Sequence, residues 1–113
     1  MHELSITQKI FDIVIEQAEK EKAGSVKKIN LVIGEMTGIV SDSVEFYFGF
    51  LSKGTIAEDA QLVVKIVPTR AKCRNCGKTF KLGQFEWVCP DCGVNSMDIV
   101  EGKELFIESI EVD

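Results

Sequence analysis

Cys73-Arg74-Asn75-Cys76 and, after residues 77–88, Cys89-Pro90-Asp91-Cys92-Gly93 contain all four cysteines of the chain. Two C-x-x-C pairs across a short span match the ligand spacing of a tetrahedral zinc site, in which each pair forms a tight loop aimed at one ion. Gly77 and Gly93 follow the second cysteine of each pair, where such a loop favours a left-handed residue. Thr79, Phe80, Phe85, Trp87 and Val88 are strand-like residues around Lys81-Leu82-Gly83-Gln84, which reads as a hairpin turn. The stretch reads as a zinc ribbon.

Four thiolates fill the coordination sphere and leave no position for water, so the zinc is expected to be structural. Two disulfides or a redox C-x-x-C are the competing reading of the same cysteines. Nothing at the amino terminus resembles a secretory signal, so the expectation is a cytoplasmic chain with reduced thiols. Four thiolates on one Zn²⁺ leave about two net negative charges. That explains part of the basic run Arg70, Lys72, Arg74, Lys78 and Lys81 without any partner.

The ribbon is too small to build a core without its metal, whereas the remainder of a 113-residue chain with 45% hydrophobic content can bury one modest core. A net charge of −5 argues against general binding to nucleic acid or anionic membrane. No apolar run approaches the ~18 residues of a membrane span.

Outward from the ribbon, Ile6, Ile10, Ile13, Val14 and Ala18 recur at helical spacing, which predicts an amphipathic helix over 4–22 ended by Gly24. Residues 26–33 alternate, with Ile29, Leu31 and Ile33 on one face, and predict a strand. A second helix is expected on the face Val44, Tyr47, Phe48 and Leu51. Ser41 or Asp42 would cap it, Asp42 with Glu45 forming a capping box, and Gly54 would stop it. Strands are expected at 61–66, running on through Pro68 toward the first cysteine pair, and at 105–112, and since they flank the ribbon they are expected to be antiparallel neighbours.

The predicted architecture is α+β: a three-stranded sheet with two helices on one face and an inserted four-cysteine zinc ribbon. Residues 1–69 and 104–113 form one domain and 70–103 the ribbon domain. The connections near Pro68–Lys72 and Gly102–Glu104 would allow the ribbon to pivot.

His2 is the only histidine. A retained Met1 supplies an α-amine, His2 an amide nitrogen and an imidazole, and Glu3 an amide or a carboxylate. These donors can close adjacent chelate rings in a plane, an arrangement suited to Ni²⁺ or Cu²⁺ and poorly suited to Zn²⁺. On the residues alone two readings stand, because a terminal histidine is commonly a plain exposed residue and a Glu3 carboxylate is favourable near a helix N-terminus.

Met1-His2-Glu3-Leu4-Ser5, Leu31-Val32-Ile33-Gly34-Glu35, Gly54-Thr55-Ile56-Ala57-Glu58 and the ribbon with Cys89-Pro90-Asp91-Cys92 together resemble the HypA/HybF family over nearly the whole chain. The resemblance implies a nickel metallochaperone for [NiFe]-hydrogenase maturation. Its nickel ligands would be Met1, His2 and Glu3, and its zinc ligands Cys73, Cys76, Cys89 and Cys92. It also implies a HypB-type GTPase and the hydrogenase large-subunit precursor as partners, and some relatives serve urease. Where some relatives carry histidines beside the ribbon cysteines, Arg74, Asn75, Pro90 and Asp91 stand here, so no histidine can replace a thiolate.

A nucleic-acid-binding ribbon is the alternative, motivated by the five basic residues of 70–84 with Phe80, Phe85 and Trp87 nearby. An enzyme is disfavoured, since one histidine, no spare cysteine and no P-loop or G-x-G-x-x-G leave the usual constellations incomplete.

Overall fold

The computed structural model describes residues 3–82 and 87–113. Helix α1 spans Glu3–Lys20, strand β1 Val26–Gly34 and helix α2 Ser41–Leu51, with a single 3₁₀ turn at Glu35–Thr37 between the last two. Strands β2 (Gln61–Val67), β3 (Arg70–Cys73), β4 (Thr79–Lys81), β5 (Met97–Glu101) and β6 (Leu105–Val112) complete the fold. Two three-stranded sheets result, ordered β2-β1-β6 and β4-β3-β5. Among the described residues no helix is long and apolar enough to cross a membrane.

The first sheet carries both helices. Ile29, Leu31 and Ile33 of β1 are buried with Ile10, Val14 and Ala18 of α1 and Val44 and Phe48 of α2. Phe11 meets Phe48 edge to face, with ring centroids 6.0 Å apart. The buried stripe of α1 is Thr7, Ile10, Val14 and Ala18, whereas Ile13, expected inside, is half exposed. Thr7 belongs there because its hydroxyl donates to the Glu3 carbonyl at 2.5 Å, so a polar residue is buried with its hydrogen bond made.

Both helices end differently from the expectation. At α1 the amides of Ala23 and Lys22 donate back to the carbonyls of Ala18 and Glu19, with Lys22 left-handed at φ 54°, so the chain turns before Gly24 is reached. At α2 the N-cap is Val40, and neither Ser41 nor Asp42 makes a side-chain cap. The Glu3 carboxylate instead accepts the Val40 N–H at 3.2 Å, so α1 supplies what a capping box would otherwise supply from within α2. The helix ends at Leu51, and Gly54 serves the following turn at φ +77°.

Strand order departs from the expectation as well. Strands β2 and β6 are not neighbours, because β1 lies between them, parallel to β2 and antiparallel to β6. The parallel pair needs a long crossover, and α2 provides it. The expected adjacency appears one step later. Beyond the end of β1, strands β3 and β5 pair antiparallel, with Arg70 opposite Glu101.

In the second sheet β3 is central and β4 lies on its other edge. Its core is Ala71, Cys73, Phe80, Leu82 and Cys89, with Met97 and Ile99 packed against it. Strand β5 was not expected from the sequence. Trp87 and Val88, read as strand residues, lie outside any strand and are half exposed. Gly83, Gln84 and Phe85 of the expected hairpin fall outside the described residues.

Candidate metal centre

The two C-x-x-C loops repeat one local design. In the first, Gly77 N–H donates to the Cys73 carbonyl at 2.9 Å, and Cys73 N–H to the Lys78 carbonyl at 2.9 Å. In the second, Gly93 N–H donates to the Cys89 carbonyl and Cys89 N–H to the Val94 carbonyl, again at 2.9 Å. Gly77 and Gly93 take φ +78° and +70°, a left-handed turn that lets the chain fold back beneath each cysteine pair. The expectation placed on these two glycines is met.

The loops face one another. Cys73 Sγ lies 3.5 Å from Cys92 Sγ, and Cys76 Sγ 3.6 Å from Cys89 Sγ. All four sulfurs lie within 4.8 Å of one another. A tetrahedron of thiolates about 2.3 Å from a central Zn²⁺ has sulfur–sulfur edges of about 3.8 Å, so the cluster fits a four-thiolate metal site closely. The thiols are free rather than paired in disulfides. Cys73 and Cys89 are buried at the base, and Cys76 and Cys92 are exposed at the rim.

Local amides favour the thiolate at the two buried cysteines. The Cys76 N–H directed at Cys73 Sγ holds the Cys73 thiol down at about 6, and the Cys92 N–H lowers Cys89 in the equivalent way. Cys76 goes the other way: the Lys78 amide draws it down, but hydrogen bonding to the Cys89 sulfur together with burial outweighs that and raises it to about 11. A hydrogen bond to the charged form of the sulfur favours deprotonation, which metal ligation requires.

Two ion pairs brace the ribbon and were not foreseen. Lys78 Nζ meets Asp91 Oδ1 at 3.0 Å, joining the chain after the first cysteine loop to the second loop. The Arg74 guanidinium donates through Nε and Nη2 to Asp98 Oδ1 at 2.9 and 2.6 Å, tying the first loop to β5. A carboxylate beside each cation favours its charged form, so Arg74 is shifted up by Asp98 and Lys78 by Asp91, while Asp98 is shifted down by Arg74. Two of the five basic residues ascribed to thiolate charge or nucleic acid are thus held by carboxylates. The signal was present in Asp91, which sits inside the second C-x-x-C.

At the other candidate site, Met1 and His2 lie outside the described residues. Glu3 opens α1, is buried, and accepts the Val40 amide; that hydrogen bond, followed by its own backbone N–H, holds its carboxyl below the ordinary value.

A helix-covered sheet of three strands with an inserted four-cysteine ribbon defines a small metal-binding protein of the α+β class. The family model described as "Hydrogenase/urease nickel incorporation, metallochaperone, hypA" matches residues 1–112. A hydrogenase maturation factor HypA of Caldanaerobacter subterraneus is 51% identical, with both chains covered completely. One of Dehalococcoides mccartyi is 48% identical over all of this chain and 95% of its own. The chain belongs to the HypA family of metallochaperones, and it is a maturation factor, not an enzyme.

Solved structures share the fold. The solution structure of the nickel metallochaperone HypA from Helicobacter pylori superimposes with a TM-score of 0.66 at 24% identity, covering 99% of this chain and 97% of that one. A second HypA solution structure gives 0.73, also at 24% identity, over 99% and 96%.

Proposed function

We propose that this chain carries Ni²⁺ on Met1, His2 and Glu3 and delivers it for [NiFe]-hydrogenase maturation in the cytoplasm, while Cys73, Cys76, Cys89 and Cys92 hold a structural Zn²⁺. The observation that carries this reading is the family match beginning at residue 1, which brings the Met1-His2-Glu3 start inside the matched span. The zinc assignment rests on the four-sulfur geometry and on the absence of a coordination position for water once four thiolates bind. Zinc there would staple the ribbon by joining its two loops.

Nickel is cargo. Planar nitrogen donors from the α-amine, the His2 amide and the imidazole suit it, and residue 3 completes the set. The Glu3 carboxylate is engaged by the Val40 amide, which favours the backbone of residue 3 over its side chain as the donor. With no nucleotide motif in the chain, nucleotide dependence falls to a HypB-type GTPase, and the hydrogenase large-subunit precursor receives the metal. The family description also includes urease.

Elemental analysis of wild type and His2→Ala tests the assignment. Wild type should carry one nickel and one zinc per chain, and His2→Ala should lose nickel and keep zinc. Nickel retained by His2→Ala at unchanged affinity refutes it. Protons should compete with nickel, because an imidazole and an α-amine with ordinary values of about 6.5 and 7.7–8.0 must both be deprotonated to ligate.

A further inference from the structure

Gly34 ends β1 at φ −78° and ψ 141°, a conformation open to any residue, so its lack of a side chain has another cause. A Cβ at this position would overlap the Gly102 carbonyl and lie 2.6 Å from the Glu104 nitrogen. Residues 102 and 104 belong to one of the two connections that join the sheets. The other, Pro68–Thr69, runs past the same point, because Val67 at the end of β2 is the register partner of Gly34.

Hydrogen bonds then fasten both connections to residues 34–36. Gly34 N–H donates to the Glu104 carbonyl and Met36 N–H to the Gly102 carbonyl, each at 2.7 Å. The Glu35 carboxylate accepts the Thr69 N–H at 3.2 Å. Thr69 is buried, its carbonyl accepts Leu82 N–H from the ribbon at 2.9 Å, and its Cα would lie 2.9 Å from any Cβ on Gly102. Gly102 itself sits at φ +113° and turns its N–H to the Glu104 carboxylate at 2.8 Å.

We propose that Gly34, Glu35 and Met36 form a clamp that fixes the orientation of the four-cysteine ribbon on the helix-covered sheet, with Gly34 and Glu35 as its positioning residues. A free pivot would need at least one connection to move alone. Here both crossings are held at a single tripeptide, so either can move only by breaking backbone hydrogen bonds to β1 or the Glu35–Thr69 bond. Gly34 permits the close approach, and Glu35 reaches the second connection. The clamp needs no nickel, and it accounts for Gly-Glu at the end of Leu31-Val32-Ile33-Gly34-Glu35.

Residual dipolar couplings on the zinc-loaded full chain in a weakly aligned medium test this. In wild type one alignment tensor should fit the amides of both sheets. Gly34→Ala should leave amide shifts remote from the junction in place while the two sheets come to need separate tensors. Glu35→Ala should separate them in the same way, whereas Glu35→Gln, whose side-chain oxygen can still accept Thr69 N–H, should keep one tensor. Separate tensors in wild type overturn the proposal. A single tensor in both Gly34→Ala and Glu35→Ala overturns it too. Should Gly34→Ala fail to fold, the contrast between Glu35→Ala and Glu35→Gln decides.

Discussion

Replacing Phe80 by alanine should weaken zinc binding although Phe80 touches no ion. Phe80 is buried in a ribbon core of five buried residues, two of them the cysteines at positions 73 and 89. Removing a core Phe side chain costs about 3–5 kcal/mol. The ribbon is small and open at its rim, which lets neighbours relax, so the lower figure applies. In a metal-stapled module without a preformed apo fold, metal-binding free energy is also folding free energy, and packing losses appear as lost affinity. At about 1.4 kcal/mol per tenfold, ~3 kcal/mol is roughly a hundredfold in zinc dissociation constant. Competition against a chelator of known affinity reads that number directly, and nickel per chain should stay at the wild-type value. If zinc affinity changes less than threefold while the thermal midpoint of the ribbon falls, the ribbon is folded without metal and the coupling argument fails.

Two further outcomes follow from the larger half of the molecule. Ile29→Ala removes a fully buried side chain from the central strand and should cost about 2–5 kcal/mol by denaturant titration, with zinc content unchanged. Acidification should release the tie between the helices: the Glu3 carboxyl has a folded value below its ordinary 4.5, so its contribution is complete above that value and is lost as pH falls through the lowered one. The Val40 amide proton shift, followed by NMR, should therefore titrate at a pH below 4.5, and Glu3→Gln should abolish that titration.

What was legible in the sequence is what short-range pattern determines. The cysteine loops were readable because ligand spacing and the glycines after each pair act within five residues. The inward set Ile29, Leu31 and Ile33 follows from the alternation along β1. The placement of β1 between β2 and β6 was not readable, since it is decided by pairing among segments far apart in the chain; proximity of the ribbon's two ends suggested direct neighbours. Strand β5, Met97-Asp98-Ile99-Val100-Glu101, lies on a sheet edge with Val100 half exposed, and it forms because β3 offers it partners. The cap of α2 was missed for the same reason. Glu3 stands 37 residues from Val40, beyond any local motif.

The central position of β1 also explains why the ribbon can be inserted at this end of the sheet. Where β1 stops at Gly34, the strands on either side of it lose their shared neighbour, and their continuations β3 and β5 close together into a ladder of their own. The ribbon thus begins paired at Arg70 and Glu101, and the four cysteines, where a metal would join its two loops, lie at the other end of this ladder. The chain that leaves β1 meanwhile turns through Thr37, whose hydroxyl donates to the Gly34 carbonyl at 2.8 Å and accepts Ile39 N–H, and reaches Val40 and the Glu3 carboxylate. One seven-residue segment, 34–40, therefore holds both crossings to the ribbon at its start and the first turn of α1 at its end. Residue 3 and the ribbon therefore attach at the same end of the sheet.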